Sequence, residues 1–313
     1  MAPPRPRSTG QAGPVPVTLV HACLRDGTGG SPTAVVADTG VLDDEARRRI
    51  PALSGASHAV FVGARPEAGG ATAVRFFTAE GELPACGHGT VAALAYLAEQ
   101  AGTQEHEQTL RSTDGRLIHG RTTRQGALVQ AEFDAGPVAL REPTTEELGL
   151  LLPALGLPLV ATARIATLGR PRLLARVQSR ASLEALAPDL RALEQACHDL
   201  DLLGCYTYAA PTFPGQRYAA RMFAPAIGVP EDIANANSTA CLAAHLHASG
   251  TLGGGSPEAG RPVTGPAVDM GDSLGSPATI TTSVTPGRGS SPVVRVGGTA
   301  LVTGVGTSTL RRG

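Results

Sequence analysis

Two stretches of this chain repeat one another, and no other feature restricts the fold as much. RFFTAEGELPACGHGTVAALAYLAEQAG begins at Arg75, and RMFAPAIGVPEDIANANSTACLAAHLHASG begins at Arg221. Each runs from an arginine through an aromatic strand and a turn to a small polar knot, then into an alanine-rich helix that stops at a glycine. The two arginines lie 146 residues apart and the closing glycines, Gly102 and Gly250, lie 148 apart, so the second copy carries two extra residues. Self-similarity of this kind marks a duplicated structural unit. It puts the two knots at equivalent positions, each at a helix N-terminus. Both helices are small or apolar on nearly every side, as in helices enclosed by other structure.

The 313 residues suffice for two domains of ordinary size. The expected division is a disordered, proline-rich lead-in over 1–15, one domain over 16–138 and a second over 139–313, whose last strand can return to the first domain. Strands rich in β-branched residues are expected at 17–24, 33–38, 58–63, 72–79, 115–123 and 127–134. In the second half they are expected at 162–169, 172–177, 205–211, 217–225 and 278–284, with two more in PVVRVGG and ALVTGVG. Helices are expected at 43–50, 90–102 and 237–250, in an acid-started segment within 136–157, and over 182–200. A Gly/Pro-rich loop is expected at 251–266. The class is α+β.

Hydrophobic residues make up 42% of the chain and charged residues 17%, which fits a globular protein. The net charge of −1 gives no basis for a nucleic-acid or membrane partner, and no Trp is present to help stack bases. Five cysteines, at 23, 86, 197, 205 and 241, are odd in number and irregular in spacing. That argues for reduced thiols in the cytoplasm rather than a disulfide framework. The N-terminal MAPPRPRSTGQAGPVP lacks the apolar core of a secretory signal, and no apolar run approaches the ~20 residues of a membrane span.

The knots carry the chemistry. Helix N-termini present unpaired N–H groups and partial positive charge, so two of them facing each other would hold a carboxylate or a developing enolate. The candidate groups are Cys86, Gly87, Gly89 and Thr90 in the first knot, with Asn235, Ala236, Asn237 and Ser238 in the second. The glycines would let the backbone approach closely. The plainer reading makes these ordinary helix starts, capped by Thr90 and by Ser238 or Asn237. Cys86-x-His88 is not a common metal spacing, and no third ligand lies nearby in sequence, so no metal is expected. A helix N-terminus could activate Cys86, though a cysteine there can equally be a small buried residue. His88 can exchange protons near neutrality, and Asp232 is the acid nearest the second knot.

Four blocks, in order and spacing, resemble the PhzF family of phenazine-biosynthesis-type isomerases. GGSPTAVV (29–36) is similar to that family's G-N-P-A-A-V-V, and RFFTAEGELPACGHGT to its R-x-F-T-P-x-x-E-x-x-x-C-G-H-A-T. GVPEDIANANSTACLAAHL resembles G-x-x-E-D-P-A-T-G-S-A-x-x-x-L-A-A-Y-L, and VVRVGGTALVTGVG resembles the closing V-x-V-G-G-x-A. The resemblance covers residues 17–306. It implies two pseudo-symmetric diaminopimelate epimerase-like domains, each a β-barrel-like sheet around a central helix. It also implies a cofactor-free site between them and, commonly, a homodimer; with the facing helix starts, the expected substrate is a small carboxylate-bearing metabolite.

The family's proton carrier is a Glu in S-E-T-x-F-V, and the matching stretch here is SHAVFV, so His58 stands in its place. His88 and Asp232 match the other proton-handling positions, whereas Ile233, Asn235, Ala236 and Asn237 depart from the family's Pro, Thr, Gly and Ser. Either His58 is the general acid/base of a 1,3-proton shift, or the chain is a binding relic. A racemase using Cys86 is a third option, although the second-thiol block of proline racemases has no counterpart here. The altered site, with the Ala-, Gly-, Arg- and Pro-rich composition of a high-GC actinomycete chain, implies a substrate unlike the phenazine precursor. An unsaturated pyrroline carboxylate of 4-alkyl-L-proline biosynthesis, the propylproline branch of lincomycin-type pathways, fits that description.

Overall fold

A computed structural model describes residues 15–63, 70–159, 162–252, 262–285 and 293–308. Two strand triplets with the same pairing pattern form its framework. In the first half, Ser31–Asp38 runs parallel to His58–Gly63, which pairs antiparallel with Thr72–Phe77. In the second, Arg170–Val177 runs parallel to Cys205–Ala209, which pairs antiparallel with Tyr218–Ala224. Ala59 lies opposite Phe77 and Cys205 opposite Phe223, so the registers superimpose and His58 corresponds to Gly204. Parallel neighbours need a crossover. Helix α1 (Asp44–Leu53) crosses in the first half.

The repeat persists in side-chain contacts. The Arg75 guanidinium lies over the Phe77 ring and donates to both oxygens of Glu82, at 3.0 and 2.6 Å. Arg221 lies over Phe223 and donates to both oxygens of Glu231, each at 2.8 Å. Each fork fixes a short strand, Glu82–Leu83 or Val229–Asp232, that carries the chain toward a knot.

The knots open helices α2 (Gly87–Ala101) and, far along the chain, Ala236–Ala248. Residues 87–95 of α2 are all buried, which demands small side chains where strands close in. At Gly120, for example, a Cβ would lie 2.5 Å from the Leu94 side chain. Between these two helices come α3 (Thr145–Ala154), α4 (Arg180–Glu184) and α5 (Leu190–Asp199), which makes Ala236–Ala248 α6. A capping box starts α3, with Thr144 and Glu147 each bonded to the other's backbone N–H. The described strands join into one continuous sheet. The strand Val293–Ser308 stitches it together by pairing with Val15–Leu24, Leu128–Gly136 and Ala278–Thr285.

Several expectations are corrected. The helix expected over 182–200 is two helices, because Pro188 disfavours helical backbone at Ala187 and Asp189 caps a fresh start. The segments expected as two strands, PVVRVGG and ALVTGVG, are one strand from Val293 on, with Pro292 outside the described residues: Gly297 and Gly298 do not interrupt it but admit the backbones of Ala131 and Cys23 on its neighbours. Part of the expected loop at 251–266 is the strand Val263–Thr264, and residues 253–261 lie outside the described ones. The lead-in lies outside them up to residue 14; Val15 already begins a strand. All five cysteines are free and buried, and no described helix is long and apolar enough to cross a membrane.

Candidate active site

Helices α2 and α6 meet end to end. A Cβ on Gly87, the first residue of α2, would lie 2.6 Å from the Cβ of Ala236, the first residue of α6, and 3.0 Å from the Asn237 nitrogen. Two positive helix ends are thereby brought together, an arrangement that favours an anion between them. Gly87 thus serves helix–helix contact. Gly89 serves packing as well, since a Cβ there would press on Cys86 Sγ at 2.9 Å and on Phe76 at 3.0 Å.

The caps differ from those expected. Cys86 caps α2, its Sγ accepting from the Gly89 N–H at 3.3 Å, and Asn235 caps α6, its Oδ1 accepting from the Ser238 N–H at 2.9 Å. Thr90 and Thr239 instead donate their hydroxyls back to the carbonyls of Cys86 and Asn235, at 2.8 and 3.0 Å. Equivalent positions therefore do equivalent work in both knots. The cap bonds take up the amides of residues 89 and 238; of the other first-turn residues, Gly87, His88 and Asn237 line the cavity at this junction.

A cavity of about 160 Å³ opens at this junction. His58, Cys86, Gly87, His88, Asp232, Asn235 and Asn237 line it, so seven of the expected site residues come together. Gly89, Thr90, Ala236 and Ser238 do not line it; they are the buried packing behind it.

His58 opens its strand at the cavity edge, and its ring meets that of His88 edge to face, with centroids 4.4 Å apart and planes at 84°. Its Nδ1 lies 2.9 Å from the Ser57 hydroxyl. Burial, then the positive charge of His88, holds the His58 ring well below its ordinary value. His88 Nδ1 lies 2.7 Å from the Ala234 carbonyl. A carbonyl only accepts, so Nδ1 carries hydrogen and Nε2 faces Cys86 Sγ, 3.4 Å away. Burial works against an imidazolium here, but the Cys86 sulfur, the Asp232 carboxylate and the Ala234 bond outweigh it and raise His88 above its ordinary value. Asp232 Oδ1 lies 3.9 Å from His88 Nδ1, and the carboxylate is anchored by the Ala234 N–H and the Asn235 amide. Two imidazoles in contact are thus pushed in opposite directions, the pattern that separates a base from an acid.

Three features escape the sequence reading. Ser57 orients His58. The donor atoms of His58, Cys86 and His88 lie within 4.8 Å of one another, so the third metal-capable ligand missing near Cys86 in sequence arrives through the fold. Arg172 also reaches the cavity wall. It is buried, donates to the Ser238 hydroxyl and to the carbonyls of Leu168 and Arg170, and forms no ion pair with an acid among the described residues. No motif marks it; its register counterpart in the first half is Thr33.

Comparison with known proteins agrees with this architecture. Residues 20–306 match the family described as phenazine biosynthesis-like protein. The trans-2,3-dihydro-3-hydroxyanthranilate isomerase of Pseudomonas fluorescens is 33% identical over 247 residues, spanning 74% of this chain and 82% of that one. An uncharacterized isomerase of Deinococcus radiodurans is 31% identical over 283 residues, with 87% and 88% covered. Among solved structures, a PhzF-family protein of Bacillus anthracis superposes with a TM-score of 0.78 at 17% identity, covering 95% of this chain and 99% of that one. A hydroxyproline epimerase from Agrobacterium vitis shares the fold with a TM-score of 0.64 at 11% identity, covering 96% and 92%. The chain therefore belongs to the phenazine biosynthesis-like (PhzF) family and is an enzyme of the isomerase class.

Proposed function

We propose that this isomerase moves a proton, and with it a C=C bond, within a small unsaturated carboxylate, and that the substrate is a pyrroline carboxylate intermediate of 4-alkyl-L-proline biosynthesis. The observation that carries the reading is that His58 and His88 share one cavity with the paired starts of α2 and α6. In the scheme, the neutral His58 ring removes a proton from carbon, and the C–H electron pair enters the conjugated system as a dienolate. The imidazolium charge of His88 and the helix starts at Gly87, His88 and Asn237 stabilise that charge. His58 then returns the proton two carbons along, where the former π pair takes it, so neither atoms nor electrons are gained. Asp232 and Asn235 hold the second knot in place. The substrate's carboxylate lies in the cavity, beside the two helix starts.

The relatives named for dihydro-hydroxyanthranilate isomerisation support a proton shift of this type. A cavity of about 160 Å³, below the ~300 Å³ at which pockets for drug-sized ligands begin, supports a single small ring. The test follows a pyrroline carboxylate by NMR with the wild type and with His58→Ala. The wild type should shift the vinylic signals, and the folded variant should leave them unchanged. A shift at the wild-type rate in His58→Ala removes His58 from the mechanism.

A further inference from the structure

The geometry points to a second use of the same three side chains: His58, Cys86 and His88 form a three-ligand site for a borderline-soft divalent cation of the zinc class, and its occupancy blocks proton transfer. Three nitrogen and sulfur donors with the fourth position left open is the usual protein contribution to an exchangeable zinc site. Zinc bonds of about 2.0–2.1 Å to nitrogen and about 2.3 Å to sulfur, at a tetrahedral angle, set those donors about 3.5 Å apart. Cys86 Sγ lies 3.4 Å from His88 Nε2, and one nitrogen of His58 completes a triangle with all donors within 4.8 Å.

The surroundings fit as well. A metal-bound imidazole almost always has its other nitrogen held by an oxygen. His88 Nδ1 is held by the Ala234 carbonyl and His58 Nδ1 by the Ser57 hydroxyl, which leaves both Nε2 atoms for the metal. Cys86 Sγ already accepts the Gly89 N–H at the start of α2, which fixes the sulfur beside both rings. All three residues are buried and line the cavity, so the fourth position opens into it and can take water or the substrate's carboxylate. Binding expels the thiol proton and any proton on His88 Nε2, with no change of oxidation state.

Site formation stands on geometry alone; the blocking effect rests on His58 as the proton carrier, because metal and proton need the same lone pair. Metal-free full-length protein is titrated with Co²⁺ and read by its sulfur-to-cobalt charge-transfer band, then back-titrated with Zn²⁺. The expected result is one Co²⁺ per chain, displaced by Zn²⁺, with the band lost in Cys86→Ser. Ser57→Ala should loosen Co²⁺ by about 10–100-fold. The exposed-strand control His119→Ala should bind as the wild type does. Absence of the band in folded wild-type protein at millimolar Co²⁺, or unchanged stoichiometry in a Cys86→Ser, His58→Gln double variant, overturns the site. Isomerisation is followed in parallel. Full turnover with the site loaded overturns the blocking effect. Normal cobalt binding by metal-free wild-type protein that performs no isomerisation overturns the functional reading and leaves the metal site standing.

Discussion

Replacing Gly87 by alanine tests the head-on meeting of the two helices. The added Cβ would lie 2.6 Å from Ala236 Cβ, 3.2 Å from its Cα and 3.0 Å from the Asn237 nitrogen. Carbon atoms prefer about 3.5–4.0 Å, so roughly 1 Å must open, and the obstacle is a helix start rather than a rotatable side chain. Overpacking of this kind costs about 1–3 kcal/mol. The His88–Ala234 bond spans the same junction at 2.7 Å and would be lost on opening, at about 0.5–1.5 kcal/mol. Alanine returns up to about 1 kcal/mol as the better helix former. The net loss is roughly 1–3 kcal/mol, or a fall in Tm of roughly 1.5–5 °C for a chain of this length. Displacing His88 from the helix starts by about 1 Å should lower turnover by on the order of 100-fold. Calorimetry and NMR turnover read the two effects. Gly149→Ala is the control, because Gly149 lies in α3 with open space where its Cβ would go; it should gain about 0.5–1 kcal/mol. Wild-type melting and turnover in Gly87→Ala would refute the apposition.

Other perturbations separate structural from chemical roles. Asn235→Ala removes the cap of α6 and a donor to Asp232, and should cost about 0.5–2 kcal/mol in urea unfolding. Cys86→Ser keeps an acceptor for the Gly89 N–H and should retain substantial turnover; complete loss with an intact fold would restore the thiol to the mechanism. The hydrogen bonds from Arg75 hold the Glu82 carboxyl below its usual range against the effect of burial. The resulting stability is fully present above the unfolded-state value of about 4.3 and is lost as pH falls through the depressed one. Glu82→Gln should therefore flatten the acid limb of a Tm-versus-pH curve.

The duplication was legible because Arg75 with Phe77 and Arg221 with Phe223 are conspicuous at matching offsets. Their acidic partners were not, because Glu82 and Glu231 lie at different distances from their arginines and meet them only once the strands turn back. The strand Val229–Asp232 was hidden by its proline and acids, which read as a turn; pairing of Asp232 with Met222 overrides that tendency. Cys86 as a cap was hidden for a similar reason, since cysteine is not among the side chains that usually close a helix start. Arg172 is an ordinary strand arginine in sequence, and only burial without an acid partner among the described residues marks it. His58 was found by matching blocks, whereas its contact with a residue 30 positions later is a product of strand pairing that no local pattern encodes.

The two halves differ where chemistry would need them to differ. Cap matches cap, Cys86 with Asn235, and register matches His58 with Gly204. A side chain at 204 is excluded, because its Cβ would lie 2.2 Å from the Phe223 carbonyl oxygen. The duplication thus supplies two helix ends to hold an anion but only one imidazole at the strand start beside them. A two-base racemase needs a proton donor on each face of the reacting carbon; one buried imidazole serves a single face and gives back what it took. Substrate carrying deuterium at the departing carbon should therefore deliver part of that label to the new C–H in H₂O, with the remainder lost to exchange during the lifetime of the dienolate. Label transfer should fall as the His58 shell is opened by Ser57→Ala, which frees the ring from its 2.9 Å tether. Product free of label at the earliest turnovers in the wild type would mean that a second group, not His58, delivers the proton.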